Sequence, residues 1–577
     1  MSDDGGSSYT YYNDQPFMIS VNGNIMPTLI TWDGSTDTDW NTAANWDLES
    51  VPISDNLAII PGTGVTNFPV VNEDPSTPAT CYDLTINAGG MLTIATGKAL
   101  NVNGNLLIKS DANGTGSLKI LGSVSGSATV QRYMVEDKWH VVSAPATENI
   151  NTFLNRNLAI PIVTGGGSDN GKLGMTDYNT TGNVWNGYFP VGSDETGGSF
   201  VSGKGYLVRT VAPSPTILDF KGSLYAGTKN VTVSLVDTKG WNCIGNPYTS
   251  AIKLGDGTVD ASGSDNFLDV NSSKMDDVSF GAYVYIGNGS ANGYTVINYA
   301  APYSGIDTYA SLGQGFFVKA KTNGITVAFT PAMQFHIGEG VAPFKAAVAP
   351  APSIKLIVTN SASTSSTDIL FIEGTTKGLD RGYDAGILKA DPSFAIYTKL
   401  VEPFDAEFQL QCLPTNQYNN LVIPIGIDSK AAGEIVLSVQ AVQLDPNCKV
   451  ILEDKLTSTF TDLSKGCYKT AVVADTKCAD RFFLHTGDII SGLDNQALAE
   501  GKLTAYARGN KEIRVNGEVG NDAVAKLCNG LGQVVLTKKL GAGTLNIIDL
   551  PNLDSGLYIL NIKDKGMPHT IKILIRN

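Results

Sequence analysis

Short apolar runs separated by glycine, asparagine and aspartate dominate the chain, and each suits a single β-strand. Between residues 29 and 135 they crowd together: Asp83-Leu84-Thr85-Ile86-Asn87, Met91-Leu92-Thr93-Ile94, Leu100-Asn101-Val102, Leu106-Leu107-Ile108 and Leu118-Lys119-Ile120. Apolar and polar positions alternating in pieces this short predict strands, not helices. Their tight spacing predicts rungs of a small β-solenoid, each stacking its apolar face on the next. A plain β-sandwich is the alternative for this stretch. The preceding residues 1–28 are polar and Tyr-rich without periodicity, and read as a tail or linker.

Residues 136–345 contain an internal duplication. Lys138-Trp139-His140-Val141-Val142-Ser143-Ala144-Pro145 is echoed by Gly240-Trp241-Asn242-Cys243-Ile244-Gly245-Asn246-Pro247, and Gly203-Lys204-Gly205-Tyr206-Leu207-Val208-Arg209 by Gly313-Gln314-Gly315-Phe316-Phe317-Val318-Lys319. A strand-like segment follows each glycine motif at similar distance, Thr216 to Phe220 and Thr326 to Phe329. The pattern predicts two related β units of sandwich type, with Trp and the aromatic pair in one core and glycines permitting close bends. Residues 346–352, Ala-Ala-Val-Ala-Pro-Ala-Pro, read as a linker. Residues 353–488 repeat the all-β pattern and predict a β-sandwich. A polar connector at 489–500 leads to a compact module at 501–577, with strands expected at Ile513 to Val515, Val534 to Leu536, Leu545 to Ile548, Leu557 to Ile562 and Ile571 to Ile575. The fold class is therefore all-β and multidomain, with no long amphipathic helix.

Composition agrees. The 577 residues suit about three to five domains. Charged residues are 16 %, against roughly a quarter in an average soluble protein. Such a surface rests on Ser, Thr, Asn and Gly. No run approaches the roughly 18 apolar residues of a membrane helix. The net charge of −15 offers no basic footprint for nucleic acid. Charge is uneven, however: residues 501–577 hold 11 basic and 6 acidic residues, a net +5, so the remainder carries −20. That break marks a module with a separate task. Seven cysteines, four of them from Cys412 to Cys478, form no CxxC; they read as buried or bridged structural residues.

Candidate chemistry is sparse. His140, His336, His485 and His569 fall in different units, and no GxSxG, HExxH or P-loop motif is present. The Gly203 and Gly313 runs precede aromatic strand residues instead of a helix, so they are not phosphate cradles. The adjacent acids Glu453 and Asp454 would point to opposite faces of a strand, and Asp276-Asp277 sit in a polar loop. No catalytic residue, cofactor site or metal site is assigned. Structural calcium is a candidate at Asp33, Asp37 and Asp39, or at Asp256, Asp260, Asp265 and Asp269, against the ordinary role of Asp in capping turns. Trp32, Trp40 and Trp46 flank the first set. They either cap the open solenoid end as core or, if exposed, form a sugar-stacking platform.

Trp32-Asp33-Gly34, Thr38-Asp39-Trp40 and Ala44-Asn45-Trp46 with Val51-Pro52 resemble the opening of large Bacteroidetes surface proteins. Asn529-Gly530-Leu531-Gly532-Gln533-Val534-Val535, Leu553-Asp554-Ser555-Gly556-Leu557-Tyr558-Ile559-Leu560 and Lys572-Ile573-Leu574-Ile575 are similar to the type A C-terminal sorting domain of type IX secretion cargo. In that family the domain directs export across the outer membrane and is typically removed. Gly556, Tyr558 and Lys572 occupy the matching positions, while the Asn-Pro pair common near the domain start is absent around Ala505 to Lys511. The resemblance implies a removed or unlisted signal peptide and passage through the periplasm. Its partners are the secretion translocon and shuttle at the outer membrane, and its destination is secreted or cell-surface. The expected function is a structural or adhesin-like surface protein, with a glycan partner or self-association in a filament as candidates. The alternative is an extracellular glycan-binding accessory protein or glycan-active enzyme using the three tryptophans.

Overall fold

The computed structural model describes residues 20–21, 24–25, 27–135, 137–162, 170–189, 198–211, 217–255, 257, 265–285, 293–337, 350–389, 393–417, 421–442, 444–445, 448–487, 503–508, 511–529, 532–564 and 567–575. Strands make up nearly all of its regular structure. The chain divides into two compact units. The first is Met1–Thr415, Ile425–Gln443 and Lys469–Ala479, and the second is Asn416–Pro424, Leu444–Tyr468 and Asp480–Asn577. The division falls inside the expected 353–488 sandwich.

The first unit opens with a β-solenoid. Strands Leu29–Thr31, Leu57–Ile60, Asp83–Ile86, Ala99–Ile108 and Ser123–Tyr133 pair in parallel, rung on rung. Alternation places Ile60, Ile86, Ile108 and Val130 in one buried column. A second parallel sheet, Val70–Val71, Met91–Ile94 and Ser117–Ile120, lays Val71, Ile94 and Ile120 in a facing column. Apolar burial of this kind contributes roughly 25 cal/mol per Å², and the rungs share it because no single rung encloses a core. The Ser20–Val21 and Asn24–Ile25 strands form a small antiparallel pair within the segment expected as a tail.

Both ends of the stack are closed by other parts of the chain. In the first sheet, Ser123–Tyr133 continues antiparallel into Ile217–Leu224, so solenoid and first repeat share one sheet and one core instead of separating at 135. In the second sheet the final rung, Ser117–Ile120, meets side chains where another strand would lie. Gln334 gives Nε2 to the Ile120 carbonyl (2.8 Å) and accepts from the Ile120 N–H (3.1 Å). Thr249 Oγ1 donates to the Leu118 carbonyl (2.7 Å), and its own carbonyl accepts from the Leu118 N–H (2.9 Å). An open strand edge invites pairing with another chain, and here it is occupied from within.

The duplication is structural. Trp139–Ser143 pairs antiparallel with Gly205–Arg209, Trp139 opposite Arg209 and Ser143 opposite Gly205. In the second copy Trp241–Gly245 pairs with Gly315–Lys319, Trp241 opposite Lys319 and Gly245 opposite Gly315. Each pair is extended in the same order, by Met175–Asn179 and Val184–Trp185 in one copy and by Ala282–Tyr285 and Tyr294–Ile297 in the other. The copies then contact each other reciprocally, as across a local two-fold axis. Ser143 N donates to the Gly313 carbonyl (2.9 Å) and Gly245 N to the Gly203 carbonyl (3.0 Å). A Cβ on Gly315 would stand 2.6 Å from Val141 Cγ1, and one on Gly205 would run into Cys243 Sγ, the equivalent position. The repeated glycines are therefore contact residues. The tryptophans are not equivalent: Trp241 is buried, whereas Trp139 is half-exposed and stacks on Tyr188.

Each copy also holds a short helix, Ile150–Arg156 or Phe267–Val270, N-capped by Asn149 or Asn266. Behind each helix an asparagine clamps it to a strand. Asn157 accepts from Asp219 N (2.8 Å) and donates to the Phe153 and Asp219 carbonyls. Asn271 does the same with Ala328 N (2.8 Å) and the Phe267 and Ala328 carbonyls.

Farther along, Ser353–Thr359, Thr364–Phe371, Phe394–Thr398, Phe408–Leu413 and Gly433–Val442 build a larger sheet in the first unit. The expected linker at 346–352 is docked where it is described. Ala351 is buried and its N–H bonds the Tyr303 carbonyl, while the Pro352 carbonyl accepts from Phe371 N. Prolines stiffen that stretch, but its backbone groups are in use as a sheet margin. The 489–500 connector lies outside the described residues. In the second unit, Val450–Asp454 pairs antiparallel with Thr459–Asp462 and with residues 482–486.

The rung-capping role of Gln334 is measurable. Gln334→Leu leaves both Ile120 backbone groups without partners and is expected to cost roughly 2–4 kcal/mol in chemical denaturation; an unchanged midpoint would show that the rung does not depend on it.

Candidate functional site

The terminal module is a seven-stranded β-sandwich. One sheet is Thr504–Arg508, Glu512–Val519 and Gly543–Asp549; the other is Val534–Lys539, Val524–Cys528, Gly556–Asp564 and Met567–Ile575. Its core gathers Ile513, Val515, Leu527, Ile548, Leu560, Ile562 and Ile573. Asn529 and Gln533 bracket the link between the antiparallel strands Val524–Cys528 and Val534–Lys539. Asn529 Oδ1 accepts from Gln533 N (3.0 Å), and Gly532 stands at φ 82°, a conformation glycine adopts without steric cost.

Within the module the motif residues separate by face. Tyr558 is buried, and its hydroxyl reaches back to the Asp554 carbonyl (3.0 Å), fixing the turn that feeds the strand. Gly556 lies two positions earlier on the same side; a Cβ there would meet only the Tyr558 ring, at 3.8 Å, so nothing in the structure requires glycine. Lys572 stands opposite Ile559 on the other face and is exposed. Gly556 and Tyr558 are thus brought together as packing, and Lys572 faces solvent with Leu557 exposed near it.

The three N-terminal tryptophans are fully buried, which corrects the sugar-stacking reading: no indole face is available to a ligand. Trp32 meets Trp46 edge-on at 5.1 Å, and Trp40 meets Trp46 at 4.8 Å. Trp32 Nε1 donates to the Asn67 carbonyl (2.7 Å) and Trp46 Nε1 to the Trp40 carbonyl (2.9 Å). Trp40 N also bonds the Val70 carbonyl, so this segment covers the first rung. The neighbouring acids serve turns. Asp33 accepts from Ser35 N, Asp39 from Asn41 N, and Asp37 from Asp39 N and Asn45 Nδ2 (2.7 Å). The Asn45 amide, with that backbone N–H, holds the Asp37 carboxyl below its usual range. In the second acidic set Asp265 pairs with Lys253, and Asp269 accepts from Tyr299 OH and Asn266 Nδ2. Asp256 and Asp260 lie outside the described residues.

Other titratable groups are spent in holding the fold. Glu453 and Asp454 point opposite ways: Glu453 to His485 Nε2 (2.9 Å), and Asp454 to Arg481 (2.9 and 2.6 Å) and the Tyr468 hydroxyl (2.8 Å). Burial disfavours the Asp454 charge, but the Arg481 and Tyr468 hydrogen bonds outweigh it and keep the carboxyl below its usual range. Asp276 and Asp277 pair with Lys319 and with Lys321 and Arg381. Burial pushes the Cys81 thiol up to about 12 and those of Cys243 and Cys412 well above the usual range, which makes them inert core groups. His140 bonds the Val135 carbonyl, and His569 lies on the last strand. His336 is the residue whose importance the sequence hid. It is completely buried, with Nδ1 2.7 Å from Ser117 Oγ and Nε2 2.9 Å from Thr93 Oγ1 across the solenoid rungs. Burial, with the Lys119 charge adding, lowers it to about 3.

The chain thus ends, in sequence, in a small cationic β-sandwich that follows an acidic β body. Residues 507–576 match the family described as "Secretion system C-terminal sorting domain", and the chain is a type IX secretion cargo protein, exported to a secreted or cell-surface location. Over residues 31–485 it belongs to the family described as "Domain of unknown function (DUF8693)". No curated protein matches the chain. Among solved structures, a polysaccharide lyase is similar over 39 % of this chain and 40 % of its own length, at 11 % identity and TM-score 0.13. The adhesin domain of Epf from Streptococcus pyogenes is similar over 39 % and 92 %, at 10 % and 0.12. The BSP domain of a biofilm associated protein is similar over 78 % and 92 %, at 9 % and 0.16. TM-scores this low carry no argument about shared fold or role.

Trp46→Ala is expected to destabilise the protein by about 3–5 kcal/mol, read from denaturant unfolding; a loss within noise would place the indole outside the core. His336 is neutral in the fold and protonates in the unfolded chain below its ordinary value of 6.5. Its contribution is therefore level above pH 6.5 and falls by about 1.4 kcal/mol per pH unit from there towards pH 3. The melting temperature of His336→Gln should decline less steeply than that of the native chain across this window, and parallel declines would contradict the assignment.

Proposed function

We propose that the chain is a non-enzymatic, adhesin-like or matrix-forming surface protein of the Bacteroidetes type, whose body works as a stiff β scaffold. The observation that carries this reading is the union of a sorting tail with a body built on stacked and reciprocally packed sheets. The carboxylates and histidines singled out in the sequence support it, because they are engaged in turns, ion pairs and rung contacts where described. In this reading the outer-membrane translocon and its shuttle take the +5 module as their substrate, and the body is delivered behind it. Burial of Trp32, Trp40 and Trp46 favours this reading over the glycan-binding alternative, which relied on exposed indoles.

Deleting residues 501–577 is expected to leave the body folded and periplasmic in its host, measured by surface protease accessibility and fractionation. Surface delivery of the truncated chain would defeat the sorting assignment, and turnover of any glycan in a hydrolase screen of the purified body would defeat the scaffold reading.

A further inference from the structure

Arg132 occupies an unusual place on the Ser123–Tyr133 strand. Alternation puts it in line with Ala128 and Val130, both buried, on the face that elsewhere carries the core. Its cross-strand neighbour is the fully buried Leu218. The acid one register position away, Asp219, bonds Gln131 Nε2 and therefore belongs to the other face. Every other arginine with a described side chain has a carboxylate: Arg156 has Glu148, Arg209 has Asp137, Arg381 has Asp277, Arg481 has Asp454 and Arg514 has Glu512. Arg132 has none among the described residues.

Arg132 lines a pocket of about 310 Å³ together with Gly89, the Gly114–Thr115 strand, Gly116, Ser117 and Ser311. Among the described residues no Asp or Glu lines it, in a chain of net charge −15. Asp111 makes no ion pair with Arg132; its Oδ1 accepts from the Asn113 and Gly114 N–H groups. His140 is close enough for Arg132 to oppose its protonation, so the neighbouring titratable group supplies no negative charge. The glycines leave the wall without side chains: a Cβ on Gly114 meets nothing nearer than Gly89 N at 3.6 Å. Glycine backbone and an arginine thus line the same cavity.

We propose that this pocket binds an oxyanion, a carboxylate or sulfate group, either free or borne by an acidic sugar. The guanidinium matches the two-oxygen edge of such a group and forms with it the charge-assisted pairs that its fellow arginines make internally. Arg132 is half-buried, and drawing a guanidinium part-way out of water without a counter-charge is costly; desolvation holds it below its usual pKa, with no carboxylate among the described residues to restore it. A ligand anion offsets that cost. The pocket that contains Tyr294, Lys355 and Asp368 lacks this feature, since its cation and anion pair with each other at 2.8 Å.

The test is calorimetric titration of the full chain with sodium sulfate, sodium glucuronate and, as neutral control, glucose at constant ionic strength. Sulfate or glucuronate should bind and glucose should not. Glucuronate binding identifies the carboxylate of an acidic sugar as sufficient, and sulfate alone identifies the free tetrahedral ion. Arg132→Gln should weaken binding by about tenfold or more, the loss of one charge-assisted contact, while melting no lower than the native chain in anion-free buffer. Gly114→Asp, which leaves the arginine in place and supplies an internal carboxylate, should abolish binding. Absence of heat from both anions, or titrations unchanged in either variant, overturns the proposal.

Discussion

A stack of parallel rungs has two open ends, and closing them organises the first unit. At each end the backbone N–H and carbonyl groups of the terminal rung and the apolar column inside it would meet water or another chain. Trp32, Trp40 and Trp46 close the first end with interlocked indoles. The second is closed by continuation into Ile217–Leu224 on one sheet and by Gln334, Thr249 and His336 on the other. Unpartnered buried backbone groups are costly, so the residues that cover the stack are fixed in place. Through Thr249 and Gln334, the second repeat is tied to the solenoid by hydrogen bonds that span more than a hundred positions of sequence.

The duplicated region meets a different demand. Two copies of one motif pack face to face only where their backbones can approach, and Gly205 and Gly315 supply that approach. The reciprocal Ser143–Gly313 and Gly245–Gly203 hydrogen bonds show that the copies are arranged like the halves of a symmetric dimer. The copies differ where symmetry is not needed: Trp241 is buried, whereas Trp139 is half-exposed. The Asn157 and Asn271 clamps are alike in both copies, each satisfying a strand N–H, a strand carbonyl and a helix carbonyl at once.

Electrostatics follow the same economy. Among the described residues this low-charge chain pairs its buried ions internally, and the partnered groups hold turns, rungs and strand ends. Against this background an arginine without a carboxylate on the inward side of a strand stands out. The sorting module differs in sign and in surface, with Lys572 and Leu557 exposed on a face apart from the Tyr558 side that packs the core. Export reads a surface, so the packed and the exposed members of the motif have separate physical tasks.

Alternation over four or five residues was enough to mark Met91–Ile94, Ser117–Ile120 and the sorting-module strands, because a half-buried strand writes its two faces directly into neighbouring positions. The duplication was equally plain, since the same register requires the same glycines at the same spacing. Charge contrast and the Gly556–Tyr558 segment disclosed the terminal module. Burial of the tryptophans, by contrast, is not a local property: the same Asp- and Asn-rich loop could present indoles outward or fold them over a rung. Nor could spacing reveal that His336 bridges Ser117 and Thr93, that Ala351 docks against the Tyr303 carbonyl, or that Arg132, among the described residues, lacks the carboxylate its fellow arginines have. Local pattern determined which segments are strands and which module is the address. The tertiary structure decided what covers each open end and which charge is left unmatched, because those outcomes depend on residues brought together from distant parts of the chain.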